Sequence, residues 1–152
     1  MHIALIASNM KKEIMLQFCT AYCGILARNT ICATYGTGKI ISDSTGLPVN
    51  CYLPGDQGGV QQIVSRVMFN EIDLVVMFAD HGRDSPEKKL SLDMLIDACN
   101  LHDIPLATNI ATAELLIRAA GSGELDWRNY VNPISDYNTR HKSKFVKVEE
   151  IK

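Results

Sequence analysis

The segment YLPGDQGGVQQIV, from Tyr52 to Val64, runs an apolar approach into a glycine-rich turn and out into a helical pattern. Backbone N–H groups left free at such a turn, backed by the positive end of a helix dipole, suit an anion, above all a phosphate. The acidic residue of the turn, Asp56, precedes the pair Gly58–Gly59, and Val60 follows it. Two other turns share this chemistry. SNMKK carries Ser8, Asn9 and the point charge of Lys12, and TYGTGK carries Thr34, Tyr35, Gly36, Thr37 and Gly38. Pro54 and Gly55 complete the third turn, DHGRD from Asp80 follows a fourth apolar run, and TNIAT a fifth. Asp80 with His81, or Asp56, offers groups for acid–base work; Arg83 suits an anionic ligand and Tyr35 a stacked ring. Each also has a plain structural use, because glycine and threonine cap helices everywhere and a loop such as DHGRD is commonly solvated. Convergence on one edge is what favours a site.

That edge follows from the elements. HIALIAS, TICAT, VNCYL, IDLVVMFA and IPLATN are strand-length runs rich in Ile, Val and Leu. Their near-continuous hydrophobicity predicts strands covered on both faces, as in a parallel sheet. Between them, KKEIMLQFCTAYCGILA, GKIISDSTG, GGVQQIVSRVMFN, EKKLSLDMLIDACNLH and TAELLIRAAGSG have helical spacing. The alternation predicts a single doubly wound α/β domain, with helices on both faces and ligands at the carboxyl ends of the strands. Met68, Phe69, Met77 and Phe78 read as core. After Gly123 the alternation fades, so residues 1–123 are expected to form the domain and 124–152 a C-terminal extension packed on it or extending from it.

The length of 152 residues suits one domain, and 47% hydrophobic with 21% charged residues is ordinary for a globular chain. A net charge of −2 gives no basic excess for DNA or RNA. The five cysteines, Cys19, Cys23, Cys32, Cys51 and Cys99, are odd in number and lie mostly in apolar runs, which predicts reduced thiols and a cytoplasmic setting. Cys19 and Cys23 share a helix face, but the sequence offers no second pair of soft ligands, so neither a metal nor another cofactor is expected. MHIALIAS is too short for a signal peptide or a membrane span.

The order HIALIAS…K, ATYGTGKIIS…TGLPV, GDQGGVQQ, IDLVVMFAD and IPLATNIATAELLI resembles the methylglyoxal synthase family from about His2 to Ile117. The resemblance implies a flavodoxin-like sheet sandwich, a homohexamer, and a pocket for dihydroxyacetone phosphate, from which the family eliminates phosphate to leave methylglyoxal. It puts Lys12 at the family's phosphate lysine, Thr34 and Thr37 at its turn hydroxyls, and Gly55 where backbone meets phosphate. Tyr35 stands at a family glycine. The proton-abstracting aspartate of the family falls at Val60, its His-Asp after the first strand at Ser8-Asn9, and a later His and Asp near Lys88 and Ser91; Asp80 matches. Since proton removal beside a ketone needs a positioned base, these departures give the expectation of a pseudoenzyme that binds and senses or sequesters a phosphorylated small molecule or nucleotide. The alternatives are an active lyase on dihydroxyacetone phosphate, a related enzyme with a rebuilt acid/base pair, and a structural oligomer with a vestigial pocket.

Overall fold

β-Branched and aliphatic runs build five strands, β1 (His2–Ala7), β2 (Thr30–Ala33), β3 (Val49–Cys51), β4 (Leu74–Phe78) and β5 (Leu106–Ala107). They form one parallel sheet in the order β3-β2-β1-β4-β5, in a computed structural model that describes residues 1–80, 82 and 84–141. Ile6 pairs with Met77 and Ala7 with Phe78 at the carboxyl end of the two central strands.

Strand alternation divides the core in two. Ile3, Leu5, Val76 and Phe78 face one side, where Phe18 of α1 (Lys12–Ala21), Leu26 of α2 (Cys23–Leu26) and Ile41 of α3 (Tyr35–Thr45) cover them. Ala4, Ile6, Val75 and Met77 face the other, under Ile63 of α4 (Gly59–Met68) and Leu95 of α5 (Pro86–Leu101). The sixth helix, α6 (Ile110–Gly121), returns to the first side through Ala113 and Ile117. This is the doubly wound sheet expected from the alternation of the sequence. Order along the sheet reverses between β1 and β4, which leaves a crevice above their carboxyl ends.

Beyond Gly123 the described chain turns back to the foot of the sheet. Arg128, in the short helix α7 (Arg128–Val131), is fully buried. Its Nε donates to Asp73 Oδ1 at 3.1 Å and its Nη2 to the Ile72 carbonyl at 2.9 Å. Asn132 Nδ2 donates to both Asp73 oxygens, and the backbone N–H of His2 to Asp73 Oδ2.

Candidate active site

The crevice between β1 and β4 holds a cavity of about 270 Å³. Its floor is apolar because the central strands end there, Ile6 and Met77 being met by Val60 from α4 and Leu92 from α5. Polar groups enter from three turns. Ser8, Asn9 and Lys12 come from the first, Thr34 and Gly36 from the second, and Pro54, Gly55 and Asp56 from the third. Lys88 and Ser91 complete the rim from the first turns of α5.

Local bonds fix these turns. Lys12 Nζ donates to the Ala7 carbonyl at 3.1 Å and to Asn9 Oδ1 at 2.9 Å, which leaves one of its three N–H bonds for a ligand. A Cβ at Gly36 would lie 3.3 Å from Lys12 Cε, so a larger residue there would press on the lysine. In the third turn, Gly58 adopts φ +98°, the left-handed region, and α4 starts at Gly59 directly behind the Leu53 carbonyl. The two glutamines after Val60 are braces. Gln62 Oε1 accepts the Leu53 N–H at 2.9 Å, tying the turn to α4, and Gln61 Nε2 donates to Ser91 Oγ at 2.7 Å, tying α4 to α5.

The charge in the cavity is predominantly positive. Burial, with the Lys88 ammonium adding to it, pulls Lys12 below the ordinary lysine range. Lys88 is held by Asp84 at 3.3 Å. Asp56 is the one carboxylate among the described lining residues.

The structure thus brings Ser8, Asn9, Lys12, Thr34, Gly36, Pro54 and Gly55 to one cavity. Thr37 lies buried just behind, its hydroxyl donating to the Ala7 carbonyl at 3.3 Å. Three expected binding residues shape the site without lining it. Gly38 packs beneath the strands, where a Cβ would meet Cys51 Sγ at 2.5 Å, and Gly58 and Gly59 set the course of the third turn. Tyr35 is 48% exposed and is not among the lining residues, and Asp80, half-buried beyond β4, is also outside the lining. His81 and Arg83 lie outside the described residues, as does most of the tail read as NTRHKSKFVKVEEIK. Of the four residues read as core, Met77 and Phe78 are buried and also line the cavity, whereas Met68 and Phe69, at the end of α4, are exposed because that last turn runs past the sheet it covers.

The model of the MGS-like domain family matches residues 15–108. A methylglyoxal synthase of Caldicellulosiruptor saccharolyticus is 50% identical over 133 residues, 88% of this chain and 94% of that protein. A methylglyoxal synthase of Listeria innocua is 46% identical over 85% of this chain and 96% of the relative. The chain belongs to the MGS-like domain family. A crystal structure of methylglyoxal synthase from Elizabethkingia anophelis matches with a TM-score of 0.69 at 30% identity, covering 76% of each chain.

Family membership at this closeness corrects the expectation of a pseudoenzyme that senses or sequesters its ligand. That expectation took the departures at Val60, Ser8 and Asn9 as loss of the chemistry, and with it loss of the enzyme. Relatives bearing the enzyme's name share 44–50% of their residues with this chain across nearly their whole length. Physically, individual replaced positions do not measure what a cavity can do when other ionisable groups, here Asp56, Lys12 and Lys88, line it. Among the described residues no helix is long and apolar enough to cross a membrane.

Proposed function

We propose that this chain is a carbon–oxygen lyase of the methylglyoxal synthase type, converting dihydroxyacetone phosphate into methylglyoxal and inorganic phosphate. The observation that carries the reading is its 44–50% identity, over nearly their full length, to relatives of that name. The cavity supports it in size and charge, since about 270 Å³ suits a three-carbon phosphate ester.

The phosphate lies against Lys12 and the Gly36 and Gly55 turns, where a free N–H of the ammonium and backbone amides meet its oxygens. Asp56 takes a proton from the hydroxymethyl carbon, giving an enediolate whose new negative charge the Lys88 ammonium balances. The electron pair then expels phosphate by breaking the carbon–oxygen bond, and the enol left behind takes a proton at carbon to become methylglyoxal. Dihydroxyacetone phosphate is thereby split without oxidant or metal, its atoms divided between methylglyoxal and phosphate.

Incubation with dihydroxyacetone phosphate should release methylglyoxal and phosphate in equal amounts. Asp56→Asn should slow this by about 10²-fold or more, while Asp80→Asn, outside the cavity, should leave most of it. No methylglyoxal above a heat-inactivated control would end the lyase reading. An Asp56→Asn variant as fast as the parent would move the base elsewhere.

The same reading includes a homo-oligomer, a hexamer by family, in a reducing cytoplasmic setting. Five free cysteines and exposed apolar side chains such as Phe69, Leu101 and Tyr130 support it. Light scattering at about 10 μM, where dissociation constants of ~1 μM or tighter keep complexes formed, should give several times the monomer mass. A monomer mass would refute the assembly.

A further inference from the structure

Ser8 carries a hydroxyl that the protein itself does not use. Its backbone is tied on both sides, the N–H donating to the Phe78 carbonyl at 2.9 Å and the carbonyl accepting the Lys11 N–H at 2.9 Å. It stands at the N-cap of a 3-10 turn over Asn9–Lys11, where a serine Oγ ordinarily accepts an N–H of the first turn, yet it makes no such bond. The residue is 5% exposed, and its Oγ is buried with no hydrogen-bond partner among the described residues. The neighbouring hydroxyls are engaged, Thr34 Oγ1 with Thr37 Oγ1 at 3.5 Å and Thr37 with the Ala7 carbonyl. A buried hydroxyl left unpaired keeps its full desolvation cost. Ser8 borders the cavity, so a molecule occupying that cavity is what can satisfy it.

Strand alternation carries Ser8 to the side of Ile6, where Val60, Met77 and Leu92 form an apolar floor. An oxygen placed over that floor loses water and gains no partner from those side chains. Resting on the reading above for where the phosphate lies, we propose that Ser8 is a specificity-determining residue. Its hydroxyl donates to a carbonyl or hydroxyl oxygen on the carbon portion of a three-carbon phosphate ester, so that the pocket selects oxygenated chains over plain alkyl phosphates.

The test uses two unreactive probes of equal chain length, sn-glycerol 3-phosphate and n-propyl phosphate, titrated by calorimetry into the full-length protein. The parent should prefer the glycerol ester by about tenfold, the worth of one well-made hydrogen bond. Ser8→Ala should lose that preference through the glycerol ester alone, with n-propyl phosphate bound as before and the melting temperature unchanged or raised. Ser8→Thr should restore part of it. A parent indifferent to the two esters, a Ser8→Ala variant that keeps the preference, or a melting temperature several degrees lower in that variant overturns the proposal. If neither ester binds, the phosphate placement fails and the proposal with it. Absence of methylglyoxal formation alongside a serine-dependent preference refutes the lyase and leaves the role of Ser8 standing. Turnover without the preference does the reverse.

Discussion

In the function proposed above, Lys12 is the residue on which phosphate binding turns, and its pH behaviour is a direct check. Its ammonium is easier to deprotonate than an exposed lysine because burial, and then Lys88, disfavour the charge. Phosphate affinity should therefore fall as pH rises through a value below the ordinary 10.5, and Lys12→Arg, charged throughout, should flatten that alkaline limb. Without ligand the sign reverses. Between the depressed folded pKa and 10.5 the unfolded chain binds more protons, so stability should climb across that window, and the climb should vanish in Lys12→Met. The turn residues were legible because a parallel sheet delivers the ends of its strands to one edge. Lys88 and Ser91 were visible only through the family resemblance, since they sit in the first two turns of α5 rather than in the strand-end turn before it, and line the cavity from that helix. Tyr35 points away for the same kind of reason: the first position of α3 faces outward, which no turn motif records. The thiols follow burial as the composition suggested. Cys19, Cys32 and Cys99 are pushed up to about 12, so a thiol reagent at neutral pH should label the exposed Cys51 well before them.

The third turn with α4 separates two uses of glycine that look alike in the sequence. A Cβ at Gly59 would run into the Leu53 carbonyl, whereas a Cβ at Gly55 meets nothing closer than Val60 Cγ2 at 4.0 Å. Gly59→Ala should therefore cost stability, about 1–3 kcal/mol if the turn yields, read as a lower melting temperature. Gly55→Val should melt like the parent but no longer bind phosphate, since its side chain occupies the approach to the turn. If both variants lose binding at unchanged stability, Gly59 too belongs to the ligand surface. All five strand runs were found in place, but only the central ones are covered on both faces: IPLATN keeps just Leu106–Ala107 as strand, and β3, at the edge of the sheet, leaves Asn50 and Cys51 exposed. The run KKEIMLQFCTAYCGILA keeps helical spacing throughout and yet divides into α1 and α2 at Tyr22, whose φ −111° and ψ 25° leave the helical region. Hydrophobic spacing survives such a break because both pieces pack on the same core.

Across the whole molecule, the foot of the sheet lies opposite the end that carries the cavity and is governed by Asp73. Arg128→Met should destabilise by about 3–5 kcal/mol, because it leaves a buried carboxylate without its cation; a chemical melt that moves by less than 1 kcal/mol would make the pair ornamental. His2, beside the same carboxylate, has its pKa lowered chiefly by burial, against the pull of Asp73. Stability it contributes is complete above 6.5 and lost as pH falls through the lower folded value, so the acid limb of a stability profile should shift in His2→Gln. None of this was legible, because a lone arginine in a polar stretch gives no sign of burial; only the partner fifty-five residues earlier explains it. That separation also sets a timetable for synthesis. A ribosome adding about 5–20 residues per second takes roughly 3–11 s to pass from the acid to its counter-charge. From residue 107 onward the nascent chain holds every strand of the sheet, yet until Arg128 is made it cannot shut the base of β1 and β4 over an unneutralised carboxylate. A chain halted at residue 123 should stay open to protease, and the completed chain should become resistant only once Arg128 is free to dock.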